Sequence, residues 1–177
     1  MIELTSLHEA AHVVLSYLSS YHFLTGDITL TSDSTGETFV TLSKRKLLEE
    51  GKEISAGTVS DPDIIADAAT IFYAGLEAER IFCEQNNIDL DESHSANDYN
   101  QVDMLIENSV PEFETDVNKL IAFSREAVLA NWEPITQFAQ LLQDSPDNSI
   151  SAFTAIKFLD LGFGRNSFQV PNNKQKS

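Results

Sequence analysis

A single cysteine, Cys83, stands in a chain of 177 residues, which excludes an intramolecular disulfide and any cysteine-rich zinc site. It falls on the apolar side of a helical pattern and reads as a small buried hydrophobe. Cations are scarce: 11 Lys and Arg stand against 28 Asp and Glu, a net charge of −17. Such a chain repels phosphate and anionic headgroups, which argues against nucleic acid and an anionic membrane surface as partners. Arg165, Lys174 and Lys176 follow residue 160 with no acid among them, so the negative charge is concentrated in residues 1–160. That acidity favours basic or neutral substrates, and it equally serves solubility. No apolar run approaches the roughly 18 residues of a membrane span. No basic segment leads into an apolar stretch near Met1, as a secretory signal requires. A GxxxxGK phosphate loop is absent from the sequence, so nucleotide is not bound in that way. The expected location is cytoplasmic.

What remains is the composition of one ordinary domain, 42 % hydrophobic and 22 % charged, long enough for a sizeable core. Leu4, Leu7, Ala11, Val14, Leu15 and Leu18 recur at helical spacing, predicting a helix over about 4–20. "DITLTS" and "ETFVTLS", separated by "DSTG", predict a hairpin or a pair of short strands. Residues 44–60 read as a mobile surface loop. Asp61 and Pro62 form a helix start, and Ile64, Ile65, Ala68, Ile71, Phe72, Gly75, Leu76 and Phe82 trace one face to about residue 85. As the longest and most apolar helix, it is expected at the centre of the core. A polar loop over 86–97 leads to a helix from about Asp98 to Asn108, stopped by Pro111. Helices follow over about 112–131, 133–143 and 149–160. The expected fold is mainly α (α+β), one domain over residues 1–160 with a small hairpin or sheet near its site. Residues 161–177 are expected to be a polar, flexible tail.

Two of the four histidines stand four apart in "LHEAAHV". On a helix, positions four apart lie about 40° from eclipsed and about 6 Å apart at Cβ, so His8 and His12 can reach one zinc ion. Glu9 is turned about 100° from His8, able to touch a metal-bound water without ligating the metal. Zinc lowers the pKa of its water to about 7, and a carboxylate can take that proton and hand it to a leaving amine. A bland occupation competes, because Ser6-Leu7-His8-Glu9 also fits a capping box in which Glu9 bonds back to the helix start. A start near Glu3 would release the glutamate, and the pattern's beginning at Leu4 favours that start. A hydrolytic zinc commonly has three protein ligands and an open position. The HExxHxxGxxH pattern fails, since Leu15 stands where its Gly is needed, so the third ligand is not local; His22, His94, Glu79 and Asp98 are the candidates.

Three blocks carry a resemblance. "LHEAAHVV" resembles the "HEAGHA" of the FtsH-type zinc peptidase domain. "YAGLEAERIF" resembles that family's "aGraAEei" helix, and "HSANDYNQV" its "GaSnDlkqAt" segment, in the same order and spacing across about residues 4–160. The resemblance implies a zinc metallopeptidase with His8, His12 and Asp98 as metal ligands, Glu9 as catalytic base and Glu79 close behind the ligands. His94 is the rival third ligand. His22 is read as a half-buried residue at a helix end, where positive charge is favourable. For Asp98 the competing role is helix capping. Ala11 replaces the family's glycine, and the "PRG" element after its first strand has no counterpart here. That departure bears on substrate alignment, because an extended peptide is expected to add to the edge of the strand near the zinc.

Only seven residues precede His8, so the family's ATPase module is expected to be missing. The substrates implied are peptides or unfolded polypeptide, with homo-oligomerisation or association with a separate ATPase as possible partnerships. The alternative is a non-catalytic interaction or adaptor module that keeps a structural metal, against which the retention of Glu9 speaks. A helical domain with no metal is the remaining reading.

Overall fold

The computed structural model describes residues 3–32, 35–92, 96–108 and 116–163. The chain runs α1 (Leu4–Leu18), β1 (His22–Ser32), β2 (Thr35–Leu42), α2 (Lys44–Glu49), a 3₁₀ turn (Thr58–Ser60), α3 (Pro62–Asn86) and α4 (Ala96–Glu107). It continues through α5 (Val117–Ala130), α6 (Trp132–Gln143), β3 (Ser149–Ser151) and α7 (Ala152–Gly162). The fold is mainly helical with a small antiparallel sheet of order β2-β1-β3. Among the described residues, no helix is long and apolar enough to cross a membrane.

α1 shares the centre with α3, whose buried residues enter both apolar clusters. Every residue from Thr5 to Ser16 is buried, so this helix is enclosed all round and not merely along a stripe. Its ends supply little. Glu3 makes no side-chain cap, and neither terminal turn carries a favourable charge. Burial therefore holds it: Leu7, Val13 and Val14 are 0 % exposed, each contributing about 1.5–3 kcal/mol. α3 lies alongside through a seam of small residues, with Ala74 and Ala78 packed against Ala10 and Ala11 in one cluster. That seam accommodates the Ala11 methyl. α3 starts as its letters indicate, with Asp61 accepting from the Asp63 amide and Pro62 in the first turn. It stops where Asn87 turns left-handed, φ 52°. Cys83 is buried, 2 % exposed.

The hairpin is longer than its alternating letters. β1 begins at His22 and pairs His22 with Leu42, the register slipping between Thr25 and Thr29. Gly26, at φ +69°, lies in that bulge, which broke the alternation and concealed the first half of the strand. Two corrections concern segments too short to show a period. Residues 44–60 are not one loop: α2 is capped by Ser43 and buries Leu47, and the 3₁₀ turn follows. Residues 149–151 are not helical. Ile150 pairs with Ile28 across β1, and Ser151 then caps α7 by accepting from the Thr154 amide. The expected tail lies, beyond Phe163, outside the described residues.

The elements converge on one end of α1. α4 is held to α3 by Val102, fully buried against Ala69 and Tyr73, and by an edge-on contact of Tyr99 with Tyr73, ring centroids 5.0 Å apart. This anchoring brings the first turn of α4 over the histidines. On the other side, β2 is an edge strand of the sheet, and its half-buried positions Gly36, Thr38, Val40 and Leu42 alternate with exposed ones.

Candidate metal centre

α1 begins at Leu4, with the Leu7 amide donating to the Glu3 carbonyl at 3.1 Å. The Ser6 hydroxyl turns back to the same carbonyl at 2.8 Å. No capping box forms, and Glu9 is free of helix-start duty. Its carboxylate reaches across to β2, where Oε2 accepts from Thr38 Oγ1 at 2.6 Å. Gly36 makes this approach possible: a Cβ there would stand 2.6 Å from Glu9 Cγ and 2.7 Å from Oε1.

His8 and His12 stack edge-on, ring centroids 4.7 Å apart. Each ring is oriented through Nδ1. His12 Nδ1–H donates to the Ile71 carbonyl at 2.8 Å, and His8 Nδ1–H donates to Glu79 Oε1 at 3.0 Å. Both Nε2 atoms therefore turn the same way, towards Asp98. Its Oδ2 lies 2.9 Å from His8 Nε2 and 3.4 Å from His12 Nε2. One ligand atom from each of the three residues falls within 4.8 Å of the others, so His8, His12 and Asp98 can hold a metal ion. Glu79 stands behind the His8 ring, where an acceptor fixes the tautomer and would raise the basicity of a ligating nitrogen.

The donor set fits zinc. Bonds of about 2.0–2.1 Å in a tetrahedron put neighbouring ligand atoms about 3.3 Å apart, close to the 2.9 and 3.4 Å observed. The field also suits a cation. Burial by itself would push the His8 pKa down, but hydrogen bonds to Asp98 and Glu79 outweigh it and raise the value to about 10. Burial likewise pushes Asp98 up, and the charge and hydrogen bonds of His12 and His8 hold it well below the usual carboxylate range. A pocket that stabilises an imidazolium this strongly stabilises a metal cation by the same charges.

Asp98 stands inside the first turn of α4, which begins at Ala96. Its carboxylate is spent on the imidazoles and not on capping. His94 lies outside the described residues. His22 is not in the cluster and is buried rather than half-buried: it opens β1 and bonds Asp67 Oδ2 through Nδ1 at 2.6 Å. The positive charge at the end of α1 comes instead from Lys46, whose Nζ donates to the carbonyls of Ser19 at 2.7 Å and His22 at 2.6 Å.

Several contributors had not been singled out for the site. Gly75 is the chief one, because a Cβ there would meet His8 Nε2 at 2.4 Å. A glycine inside a long helix costs about 1 kcal/mol relative to alanine and so implies a packing reason, and that signal was legible. Thr38, Gly36 and the Ile71 carbonyl left no such mark. No family model matches the chain, and no curated protein matches it either.

Proposed function

We propose that this protein is a zinc-dependent metallopeptidase that hydrolyses peptide bonds in peptides or unfolded polypeptide, and that it is an FtsH-type peptidase domain. One observation carries the reading. Two imidazoles and a carboxylate, from residues 90 apart in sequence, converge with their outer nitrogens already oriented, beside a buried glutamate that is not part of the ligand cluster. A purely structural site has no use for that fourth group. The order of the three sequence blocks supports the family assignment.

His8, His12 and Asp98 would hold the ion, which supplies a Lewis acid and an acidified water. Glu9 acts as the proton carrier. Thr38 steadies Oε2, leaving Oε1 to take a proton from the attacking water and return it to the departing amide nitrogen. β2 offers its outer edge beside this carboxylate, so an extended peptide can align there by main-chain pairing. Glu79 keeps His8 in the ligating tautomer.

The test is metal analysis of protein purified without a histidine tag, then cleavage of casein and short peptides, with Glu9→Gln as control. About one zinc per chain and activity lost in Glu9→Gln are expected. Zinc retained without any cleavage would favour the adaptor reading. Activity that persists in Glu9→Gln would refute the mechanism.

A further inference from the structure

Asp98 is the member of the metal cluster that α1 does not carry, and the helix that brings it is lightly held. Among the residues of α4, Val102 alone is buried. Val102 and Tyr99 pack on Ala69 and Tyr73 of α3, and both lie beyond Asp98 in the chain. The attachment ahead of it centres on Arg80. Its guanidinium is shared between two carboxylates: Nη1 donates to Glu77 Oε1 at 2.5 Å, while Nη2 and Nε donate to Glu92 Oε1 at 2.8 and 3.2 Å. Glu77 is buried on α3, 2 % exposed, and Glu92 stands six residues before Asp98. The fork also lies beside the chain neighbour of Asp98: burial pushes the Tyr99 phenol up, and the Arg80 charge pulls it down.

Magnitudes separate position from stability. The Glu92 carboxylate is 58 % exposed, and an exposed pair contributes little to the stability of the whole fold. It can still fix a direction, because a planar fork bonded through three nitrogens has few orientations left, which the single charge of a lysine would not achieve. A ligand atom must keep its place within about 0.2 Å. Asp98 stands between two attachments, Arg80 before it and the packing of Tyr99 and Val102 after it. No other cation of that stretch can take over, since the sequence holds ten acids and no Lys or Arg between Arg80 and Lys119. Arg125, on α5, offers a comparison of like chemistry. It donates to Glu77 Oε2 at 3.2 Å and to Glu84 Oε2 at 2.5 Å, and both of these carboxylates lie on α3.

Resting on the metal-centre reading, we infer that Arg80 is a positioning residue for the Asp98 ligand. It bonds Glu77 on α3 and Glu92 on the approach to α4, and so sets where the first turn of α4 meets the two imidazoles. Arg125 joins α5 to the same Glu77 and has no part in this placement. Arg80 acts on the ion only through Asp98.

The experiment measures the zinc affinity of the full chain by competition with a chromophoric chelator. Arg80→Ala should bind zinc about tenfold more weakly, and Glu92→Ala about threefold more weakly. Arg125→Ala, which takes the same kind of bond from Glu77, should keep the native affinity. In an Asp98→Asn background, Arg80→Ala should cost nothing further, because the carboxylate it places is gone. Cobalt-loaded Arg80→Ala should show visible absorption bands moved towards those of Asp98→Asn, a change that loosened packing without a moved ligand would not produce. An equal loss in Arg125→Ala, or a tenfold loss that persists beside Asp98→Asn, would reduce Arg80 to general support and overturn the assignment. Native affinity in Arg80→Ala would overturn it too. Glu92→Ala strands no buried charge, so it decides the matter in the same way if Arg80→Ala fails to fold. A native chain that binds zinc while these variants bind it equally well removes Arg80 and leaves the centre; a native chain that binds none removes both.

Discussion

Gly75→Ala places one methyl where the structure has none to spare. The new Cβ would lie 2.4 Å from His8 Nε2, 2.5 Å from Cε1 and 2.6 Å from Cδ2. Ordinary contact is about 3.5 Å, so ring or helix must retreat by about 1 Å. Neither can do so freely. The ring is bonded at Nδ1 to Glu79, one turn further along the same helix, and lies against His12; the helix is packed on α1 by Ala74 and Ala78. Alanine gains about 0.5–1 kcal/mol of helix propensity, and overpacking costs about 1–3 kcal/mol, so the metal-free variant should be less stable by up to about 2.5 kcal/mol. Metal binding suffers more, because a ligand atom must sit within about 0.2 Å of its place. A loss of about 10- to 100-fold in zinc affinity is expected, read by competition with a chromophoric chelator alongside a thermal melt. A raised melting temperature with unchanged zinc affinity would show that the ring is not confined, and the account of the site would fail.

Asp98→Asn should lower zinc affinity by at least tenfold with the fold intact by circular dichroism; unchanged affinity would remove Asp98 as a ligand. In metal-free protein, the raised His8 pKa contributes stability that is complete below about pH 6.5 and lost as pH rises through about 10, while Asp98, held low, contributes above about pH 4. Melts of the metal-free chain should therefore decline from pH 6.5 to 10. Saturating zinc, which displaces the His8 proton, should flatten that decline, and a flat metal-free profile would contradict the proposed field. Lys46→Met should destabilise by about 2–3 kcal/mol in urea titration, since it strands the Ser19 and His22 carbonyls at the end of α1. A cost below about 0.5 kcal/mol would mean that water replaces the ammonium.

His8, Glu9 and His12 were legible because a helix converts a spacing of four into one face, whatever surrounds it. α3 was legible for the same local reason, with Asp61 and Pro62 marking its start. Asp98 and Glu79 came from resemblance and not from spacing: nothing in a linear chain says that residues 71 and 90 positions beyond His8 will meet its two ring nitrogens. That meeting depends on α3 and α4 packing through Tyr73, Tyr99 and Val102. β3 and α2 escaped because three or six residues are too few to display a period. The enclosure of α1 escaped because its small, polar and histidine positions are buried only through what the neighbouring helices and sheet bring to them. Local periodicity determined which side chains share a face. The approach of Asp98 to the two imidazoles, the freedom of Glu9 and the glycine gaps that admit His8 and Glu9 were decided by long-range packing, whose contacts carry no signature in sequence distance.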